Sequence, residues 1–427
     1  MPDAEASNIK DFEPPERDAE PASDGHSDLD GPLRSAAFRW FFAGRSISLV
    51  GSFMSPVALA FGVLEITGSA AWLSAVTTAA LIPMVATMFL GGAIADRYRR
   101  DSVLRLTSLG AGLTQAGVAA LLLTHQHPAL LLPLSAANGV FQGLTTPALR
   151  GIISNLTARP GLQQASSLLA SAGNTARIIG PTTAGLLTAS VGGGWAITAD
   201  AASFLLAAAC FARISLPEPP PRAQDAPTML ADMREGWDYF RTRPWIWSVT
   251  LAFAVFNATN MGFWQILGPV TANHTIGARG WGLVLSARGV GALLASAALV
   301  KLPLMRRPMS PALSAMAIAT LPLMLLGMGA TTLWLAAASF LAGVAAEFFT
   351  VAWTTVTYTH IPERMLSRVG AHDEFWSFVA LPIGQISAPA LAAMFGTTAV
   401  ALTGGAIAAA AMLSASLVRT LRRIEIS

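Results

Sequence analysis

Long runs of apolar residues alternate with short polar connections along the whole chain after its first segment. Each run has close to the ~20 residues that an α-helix needs to cross the hydrocarbon core of a bilayer. The pattern predicts an all-α membrane protein with twelve transmembrane helices. These spans cover residues 38–64, 72–95, 103–123, 129–149, 165–190, 194–212, 246–272, 281–300, 311–329, 333–356, 372–394 and 398–418.

Basic residues are concentrated on alternate connections between these spans. The connections after the even-numbered spans hold clusters such as Arg97, Arg99 and Arg100, whereas the opposite connections hold Arg279 alone. Cytoplasmic connections of membrane proteins carry the excess of Lys and Arg. Both termini are therefore predicted to be cytoplasmic, in a multi-pass protein of the inner or plasma membrane.

Composition agrees with a bilayer location. Hydrophobic residues make up 53% of the chain and charged residues only 12%, against about 25% charged in a typical soluble domain. A large soluble α/β protein with buried helices is excluded by the length of the apolar runs. Residues 1–33 differ, because they hold ten acids, two bases and few apolar residues. We predict a disordered acidic cytoplasmic tail there and no signal peptide.

The longest connection divides the spans six and six. It begins with a Pro-rich stretch, and then Met229, Met233, Trp237 and Phe240 recur at helical spacing between charged residues. That pattern predicts an amphipathic helix lying along the inner membrane surface. The predicted organisation is an N-terminal half at 34–213, a linker at 214–245, a C-terminal half at 246–420 and a tail at 421–427. Two six-helix pseudo-repeats indicate a transporter with its substrate site between them.

The stretch GGAIADRYRRD, residues 91–101, resembles the signature loop of the major facilitator superfamily, whose usual form is close to G-x-L-A-D-R-x-G-R-R. The sequence departs from it at Arg99, where Gly is usual. The resemblance implies the major facilitator fold and an inner gate in which this loop faces acids at the start of the eleventh span. The alternative is that the arginines only set topology. The gate residues implied by the resemblance are Gly92, Asp96, Arg97, Arg100, Asp373 and Glu374.

A second stretch, GNTARIIGPTTAG at 173–185, resembles the exporter motif g-x-x-x-G-P-x-x-G-G, with Ala at two Gly positions. Gly180, Pro181 and Gly185 would bend the fifth span and let another helix approach closely. The resemblance implies an antiporter, and the alternative is an ordinary helix contact. Further stretches resemble the enterobactin-exporter-like branch of drug exporters, so that the resemblance covers about 34–423.

Ionisable residues inside the spans need a partner or a function, because charge in lipid is costly. Glu347 and Asp200 are the carboxyl groups predicted to carry a proton, and each could instead have a structural role. Arg177 is predicted to bind an anionic substrate group or to tune a proton site, with Asn174 on the same face; a structural pairing is the alternative. Arg288, nearer a span end, could reach the membrane surface.

Polar and aromatic side chains at helical spacing predict the walls of a substrate cavity, since such cavities combine apolar surfaces with a few polar groups. Packing and anchoring at the membrane surface are the alternatives for the tryptophans. The predicted cavity residues, in addition to Arg177 and Asn174, are Asn138, Gln142, Asn257, Asn260, Trp264 and Trp353.

The sequence contains no phosphate-binding loop, no H-E-x-x-H motif and a single cysteine, Cys210. We therefore expect no metal, no cofactor, no enzymatic activity and no nucleic-acid partner, with a proton gradient as the energy source. The resulting hypothesis is a monomeric exporter of a small amphipathic molecule (an antibiotic, secondary metabolite or drug) working by proton antiport. The alternatives are a narrow-specificity siderophore exporter, an importer, a membrane-embedded enzyme and a transport-inactive sensor.

Overall fold

A computed structural model describes residues 32–97, 99–157, 161–216, 229–302 and 305–425. Within these ranges the chain is helical and contains no β-strand. The predicted acidic tail lies outside the described residues, except for the 3₁₀ turn Pro32–Arg34 at its end.

The helices follow one another through short connections. The first six are α1 Ala36–Thr67, α2 Ala70–Arg97, α3 Arg100–Leu123, α4 Leu131–Leu156, α5 Leu162–Val191 and α6 Gly193–Phe211. After them comes the linker helix, α7 Met229–Arg241. The remainder are α8 Pro244–Phe256, α9 Gly262–His274, α10 Gly277–Lys301, α11 Met309–Met316, α12 Leu321–Gly327, α13 Thr332–His360, α14 Glu363–Phe378, α15 Leu381–Phe395, α16 Thr397–Ser416 and α17 Arg419–Arg422.

Ten helical segments of the described chain are long and apolar enough to cross a bilayer. Three of them join consecutive helices: α8 with α9, α11 with α12, and α14 with α15. Helices α4 and α5 are as long as these segments but are not among the ten. The all-helical, membrane-spanning architecture predicted from the apolar runs is therefore confirmed.

Three of the predicted spans are interrupted in the structure. A π-helical turn, Asn257–Met261, separates α8 from α9, and a 3₁₀ turn, Ala317–Thr320, separates α11 from α12. Helices α12 and α15 each begin with a proline at the second position, Pro322 and Pro382. Proline cannot donate a backbone hydrogen bond and is best tolerated in the first turn of a helix, where the N–H has no partner within the helix. Apolar periodicity alone could not show these breaks, because each lies within a stretch that is long and apolar enough to cross a bilayer as one span.

The turn between α5 and α6 has the same form as the turn between α15 and α16. Gly192 has φ 93° and ψ 161°, and Gly396 has φ 83° and ψ 148°. L-residues rarely adopt a positive φ of this kind, so glycine is required at both sharp turns. The two glycines occupy corresponding places in the two sets of helices.

The helices pack as two sets that meet along a limited surface. Helices α1–α6 contact one another, as α2 does with α4, α1 with α5 and α6, and α3 with α4 and α6. Helices α8–α16 form the second set, in which α10 packs on α13 and α11 on both α13 and α16. Between the sets, α5 packs on α10 and α2 on α15. Helices α2, α5, α10 and α15 therefore form the boundary between the sets, with α1 also contacting α9 and α10.

The apolar core is continuous at one end of the bundle and divided at the other. At the end away from α7, the far end, one buried cluster joins residues of both sets, such as Phe61 and Leu73 with Trp264 and Trp281. At the end that carries α7, the linker end, Phe41 belongs to a cluster built from the first set alone, and the second set has separate clusters. Among the described residues, the apolar core therefore joins the two sets at the far end and not at the linker end.

Candidate substrate cavity and gates

Arg177 lies at mid-depth on α5 and points between the two sets of helices. Its guanidinium carbon lies 5.8 Å from the centre of the Phe53 ring on α1. On the other side of α5, Gly289 of α10 packs against the backbone carbonyl of Arg177. Arg177 is exposed. Asn174, one turn nearer that end, is half-buried.

Arg288 lies on α10, and the next residue, Gly289, packs against the backbone carbonyl of Arg177, so the two arginines lie at the same depth of two helices in contact. Helix α10 begins at Gly277, earlier than the predicted 281, so Arg288 lies deeper than the sequence indicated. Among the described residues, neither arginine forms an ion pair with an acid.

Glu347 lies near mid-depth on α13 and is half-buried. It follows by one turn Gly343, whose backbone packs against the carbonyl of Arg288. Within the described part of the chain, Glu347 has no hydrogen bond and no ion pair.

Asp200 is completely buried among α1, α3 and α6. Its Oδ2 accepts a hydrogen bond of 2.6 Å from Gln115 Nε2, and Gln115 also donates to Ser55 at 2.9 Å. The Oδ1 atom has no hydrogen-bond partner in the described residues. Gly51 of α1 is needed beside it, because a Cβ there would lie 2.6 Å from Oδ1. The structure thus places Asp200 inside the first set of helices and Glu347 on α13 of the second set.

The predicted polar face of α4 binds a neighbouring helix. Asn138 is buried and donates to the carbonyl of Ala111 at 3.3 Å and to Thr114 at 3.1 Å, both on α3. Gln142 is half-buried and donates to Asn138 at 2.8 Å. These bonds hold α3 and α4 together within the first set.

The three residues predicted to share a face around the π turn have different surroundings. Asn257 is buried and donates to the carbonyl of Ser377 at 2.8 Å. Asn260 is buried, and its Oδ1 has no described partner. Trp264 is 6% exposed and packs on Trp281, with ring centres 4.5 Å apart, in the far-end core. The extra residue of the π turn shifts Trp264 from the face that regular helical spacing predicts.

Asp373 of the predicted inner gate is held within the second set of helices. It accepts a hydrogen bond of 2.6 Å from Thr250 and another from the indole of Trp353. Trp353 in turn packs on Phe349 and Trp245. Glu374 is half-buried on the same helix.

On the opposite side of the predicted gate, Arg100 donates to Asn155 at 2.7 Å, and Arg99 pairs with Asp101 at 2.9 Å. The side chains of Gly92, Asp96 and Arg97 lie outside the described residues, although helix α2 itself runs to Arg97. The inner gate therefore remains a prediction.

A polar cluster at the far end, which the sequence did not indicate, joins the two sets. Ser74 of α2 donates to the carbonyl of Gln385 on α15 at 2.6 Å, and Thr78 donates to the Gln385 side chain at 3.2 Å. Gln385 also donates to Gln265 of α9 at 2.5 Å. The members of this polar cluster lie far apart in sequence. Serine and threonine in a helix usually form hydrogen bonds with their own backbone, so no local sequence pattern pairs these residues.

Small residues let α5 approach α1 on one side and α10 on the other. A Cβ on Gly180 would lie 2.6 Å from the Phe53 Cβ, and one on Gly185 would lie 2.6 Å from the carbonyl oxygen of Ala278. Pro181 is buried against Gly282. Nearby, Thr182 and Ser286 share a hydrogen bond of 2.7 Å between the two sets.

This packing gives a stability prediction with a control on the same helix. Gly180→Ala is expected to destabilise the protein by about 1–3 kcal/mol, because the added methyl group meets the α1 backbone as well as Phe53. Gly173→Ala meets nothing within 4 Å and should leave stability unchanged or slightly higher, since Ala favours helix over Gly. Thermal unfolding of the purified variants in detergent measures the difference; equal melting midpoints would contradict it.

The linker helix α7 docks on the linker end of α14. Trp237 packs on His372 and Trp376, with ring centres 5.6 and 5.9 Å apart. His372 Nε2 donates to the carbonyl of Met233 at 2.8 Å, and Arg368 pairs with Glu235. These contacts attach α7 to the second set of helices.

The C-terminal segment is tied to the same end of the bundle. Arg307 forms an ion pair of 2.6 Å with Glu425. The hydrogen bond and the positive charge of Arg307 hold the pKa of Glu425 below its usual range.

Two cavities lie on the described part of the bundle, one in each set of helices. One of about 500 Å³ is an apolar groove between α9, α15 and α16, lined by residues such as Phe263 and Leu391. The other, of about 330 Å³, lies in the first set and is lined by Arg45 together with apolar residues and Gly173. Among the described residues, no group of three or more His, Cys, Asp or Glu side chains could hold a metal ion.

Two helix sets joined at one end, with unpaired charged residues near their boundary at mid-depth, define the class of secondary membrane transporters. The family model of the Major Facilitator Superfamily matches residues 41–372, and the chain belongs to this family. The enterobactin exporter EntS of Shigella flexneri is 27% identical over 382 residues, which cover 86% of this chain and 88% of that protein. The EntS protein of Escherichia coli O139:H28 is 26% identical over 381 residues, with the same coverage.

Solved transporters share the fold. The nucleoside transporter NupG superposes with a TM-score of 0.71 at 12% identity, over 89% of this chain and 98% of that chain. A bacterial homologue of the human lysosomal transporter Spinster, in an inward-facing and unoccupied conformation, superposes with a TM-score of 0.67 at 14% identity. The match covers 92% of this chain and 99% of that chain. The protein is thus a multi-pass membrane transporter of small molecules and not an enzyme, as the sequence predicted.

Proposed function

We propose that this transporter exports a small amphipathic organic molecule by alternating access, driven by proton antiport. The observation that carries the proposal is the asymmetry of the core, which joins both helix sets at the far end and divides at the linker end. A carrier with one closed and one open end presents its central site to one side of the membrane, and rocking of the sets exposes it to the other.

We further propose that α4 and α5 also cross the membrane, giving twelve spans in two halves, 34–213 and 246–420. The arginine-rich connections belong to the linker end, so this end faces the cytoplasm together with both termini. The open end then faces the compartment from which an exporter takes its substrate. Because one chain supplies both halves of the site, the monomer is the functional unit.

In the proposed cycle, Arg177, Asn174 and the polar residues of α4, α8 and α9 contribute to the cavity. Glu347 or Asp200 carries the proton, and the loop around Asp96, with Arg97 and Arg100, closes the linker end against Asp373 and Glu374. Gly180, Pro181 and Gly185 let α5 move against its neighbours. The relatives named as enterobactin exporters favour a second candidate, a narrow-specificity siderophore exporter.

The test is accumulation of amphipathic dyes, antibiotics and an iron-free catecholate siderophore in cells expressing the wild type or an Asp96→Asn variant. We expect lower accumulation in wild-type cells only, reversed by a protonophore. Reduced accumulation of the siderophore alone would favour the narrow-specificity candidate. Equal accumulation of every compound, with the wild-type protein detected in the membrane, would contradict the proposed export.

A further inference from the structure

Arg177 and Arg288 come from different helix sets and meet where α5 and α10 touch. The contact is close, because a Cβ on Gly289 would lie 3.0 Å from the carbonyl oxygen of Arg177. Both arginines are about 20 Å from the linker end of their helices, at a rise of about 1.5 Å per residue. This distance exceeds the reach of an arginine side chain, so neither guanidinium can extend to the membrane surface.

Two positive charges at the same depth of helices in contact repel each other, and the described residues supply no acid that pairs with either one. Charged groups inside a membrane protein are retained with a counter-charge or where they contact a substrate or ion. Glu347 lies on the adjacent helix α13 but forms no ion pair with Arg288. The pair therefore leaves an excess of positive charge at the boundary between the sets.

We infer that Arg177 and Arg288 together bind the acidic oxygen group of an organic anion, such as a carboxylate. A guanidinium matches the planar geometry of a carboxylate and can donate two hydrogen bonds to it. Phe53, which lies under Arg177, supplies an apolar surface for the remainder of the molecule. The inference rests on the proposed transport function and narrows its substrate class to amphipathic organic anions.

One arginine from each set also gives the site a role in the transport cycle. A bound anion removes the repulsion across the boundary and bridges the two sets. A ligand shifts a conformational equilibrium by its difference in affinity for the two states. Anion binding is therefore expected to favour the arrangement in which α5 and α10 are in contact at this depth.

The test compares salicylate with salicylamide, which differ by one negative charge, on the purified full-length protein in detergent. Salicylate is expected to raise the melting midpoint of the wild type at concentrations where salicylamide does not. Arg177→Gln and Arg288→Gln should each weaken salicylate binding about 10- to 100-fold, the effect of losing a hydrogen bond to a charged group. Arg279→Gln, an exposed position on the same helix α10, serves as the matched control and should bind as the wild type does.

Without ligand, the glutamine variants should melt no earlier than the wild type, because each removes a repulsive charge. If a variant does not fold, Arg177→Lys and Arg288→Lys keep the charge, lose the paired donors and should still bind salicylate more weakly. Equal shifts with salicylate and salicylamide, or salicylate shifts unchanged in every variant, would overturn the inference. Binding in detergent needs no proton gradient, so arginine-dependent binding without cellular export would sustain the anion site and reject the proposed export.

Discussion

Glu347→Gln is expected to abolish proton-driven export while leaving the protein folded. Glu347 is half-buried near mid-depth on α13 and has no described partner, and an acid without a counter-charge inside a membrane bundle is a candidate proton carrier. Glutamine has almost the same shape but cannot release a proton. Export by the variant should therefore fall to the level of cells without the transporter. Substrate-induced proton release from everted vesicles, followed with a pH-sensitive dye, measures it.

Asp200→Asn is the matched comparison, because it also replaces a carboxyl group by an amide. Asp200 is enclosed by α1, α3 and α6 and contacts Gln115, and no cation among the described residues pairs with it. We expect Asp200→Asn to keep most of the proton-coupled export. Loss of coupling in Asp200→Asn, with coupling preserved in Glu347→Gln, would transfer the proton-carrying role to Asp200.

A disulfide between positions 182 and 286 is expected to stop transport. The hydroxyl oxygens of Thr182 and Ser286 are 2.7 Å apart across the two helix sets, so cysteines there lie close enough to cross-link. The bond would hold α5 against α10 and prevent the far end from opening. In a Cys210→Ser background, which removes the only native cysteine, oxidised Thr182→Cys/Ser286→Cys should lose export to the level of cells without the transporter.

Reduction with dithiothreitol should restore export by the double variant. Each single cysteine variant, treated with the same oxidant, controls for the substitutions and should remain active. Gel mobility after limited proteolysis in the linker reports whether the cross-link has formed. Full activity of the cross-linked protein would show that this contact does not separate during transport.

Hydropathy predicted the helical architecture because each span is a nearly uninterrupted apolar run, which only a helix can carry across lipid. It could not predict the π turn at Asn257–Met261, since helical spacing assumes a regular turn. That assumption placed Trp264 with Asn257 and Asn260, whereas Trp264 packs in the far-end core. Local spacing determines which residues share a face only while the helix stays regular.

The contacts between the two sets depend on tertiary structure. The partners Ser74 and Gln385, like Arg177 and Arg288, come from opposite halves of the chain, and a single sequence contains no signal that pairs them. The sequence did identify Arg177, Glu347 and Asp200 individually, because an ionisable residue inside an apolar run is conspicuous. Their surroundings, which leave Glu347 without a described partner on α13 and enclose Asp200 among α1, α3 and α6, could be seen only in the packed bundle.

The docking of α7 on α14 determines how the covalent connection between the halves can behave. Trp237 and Glu235 attach the linker helix to the second set, so it travels with that set as part of one rigid body. Only the chain between Leu216 and Met229 then joins bodies that move relative to each other. Residues 217–228 can span about 40 Å when extended, so the peptide tether sets no limit on the rocking amplitude. That limit is set by the non-covalent contacts at the two ends of the bundle.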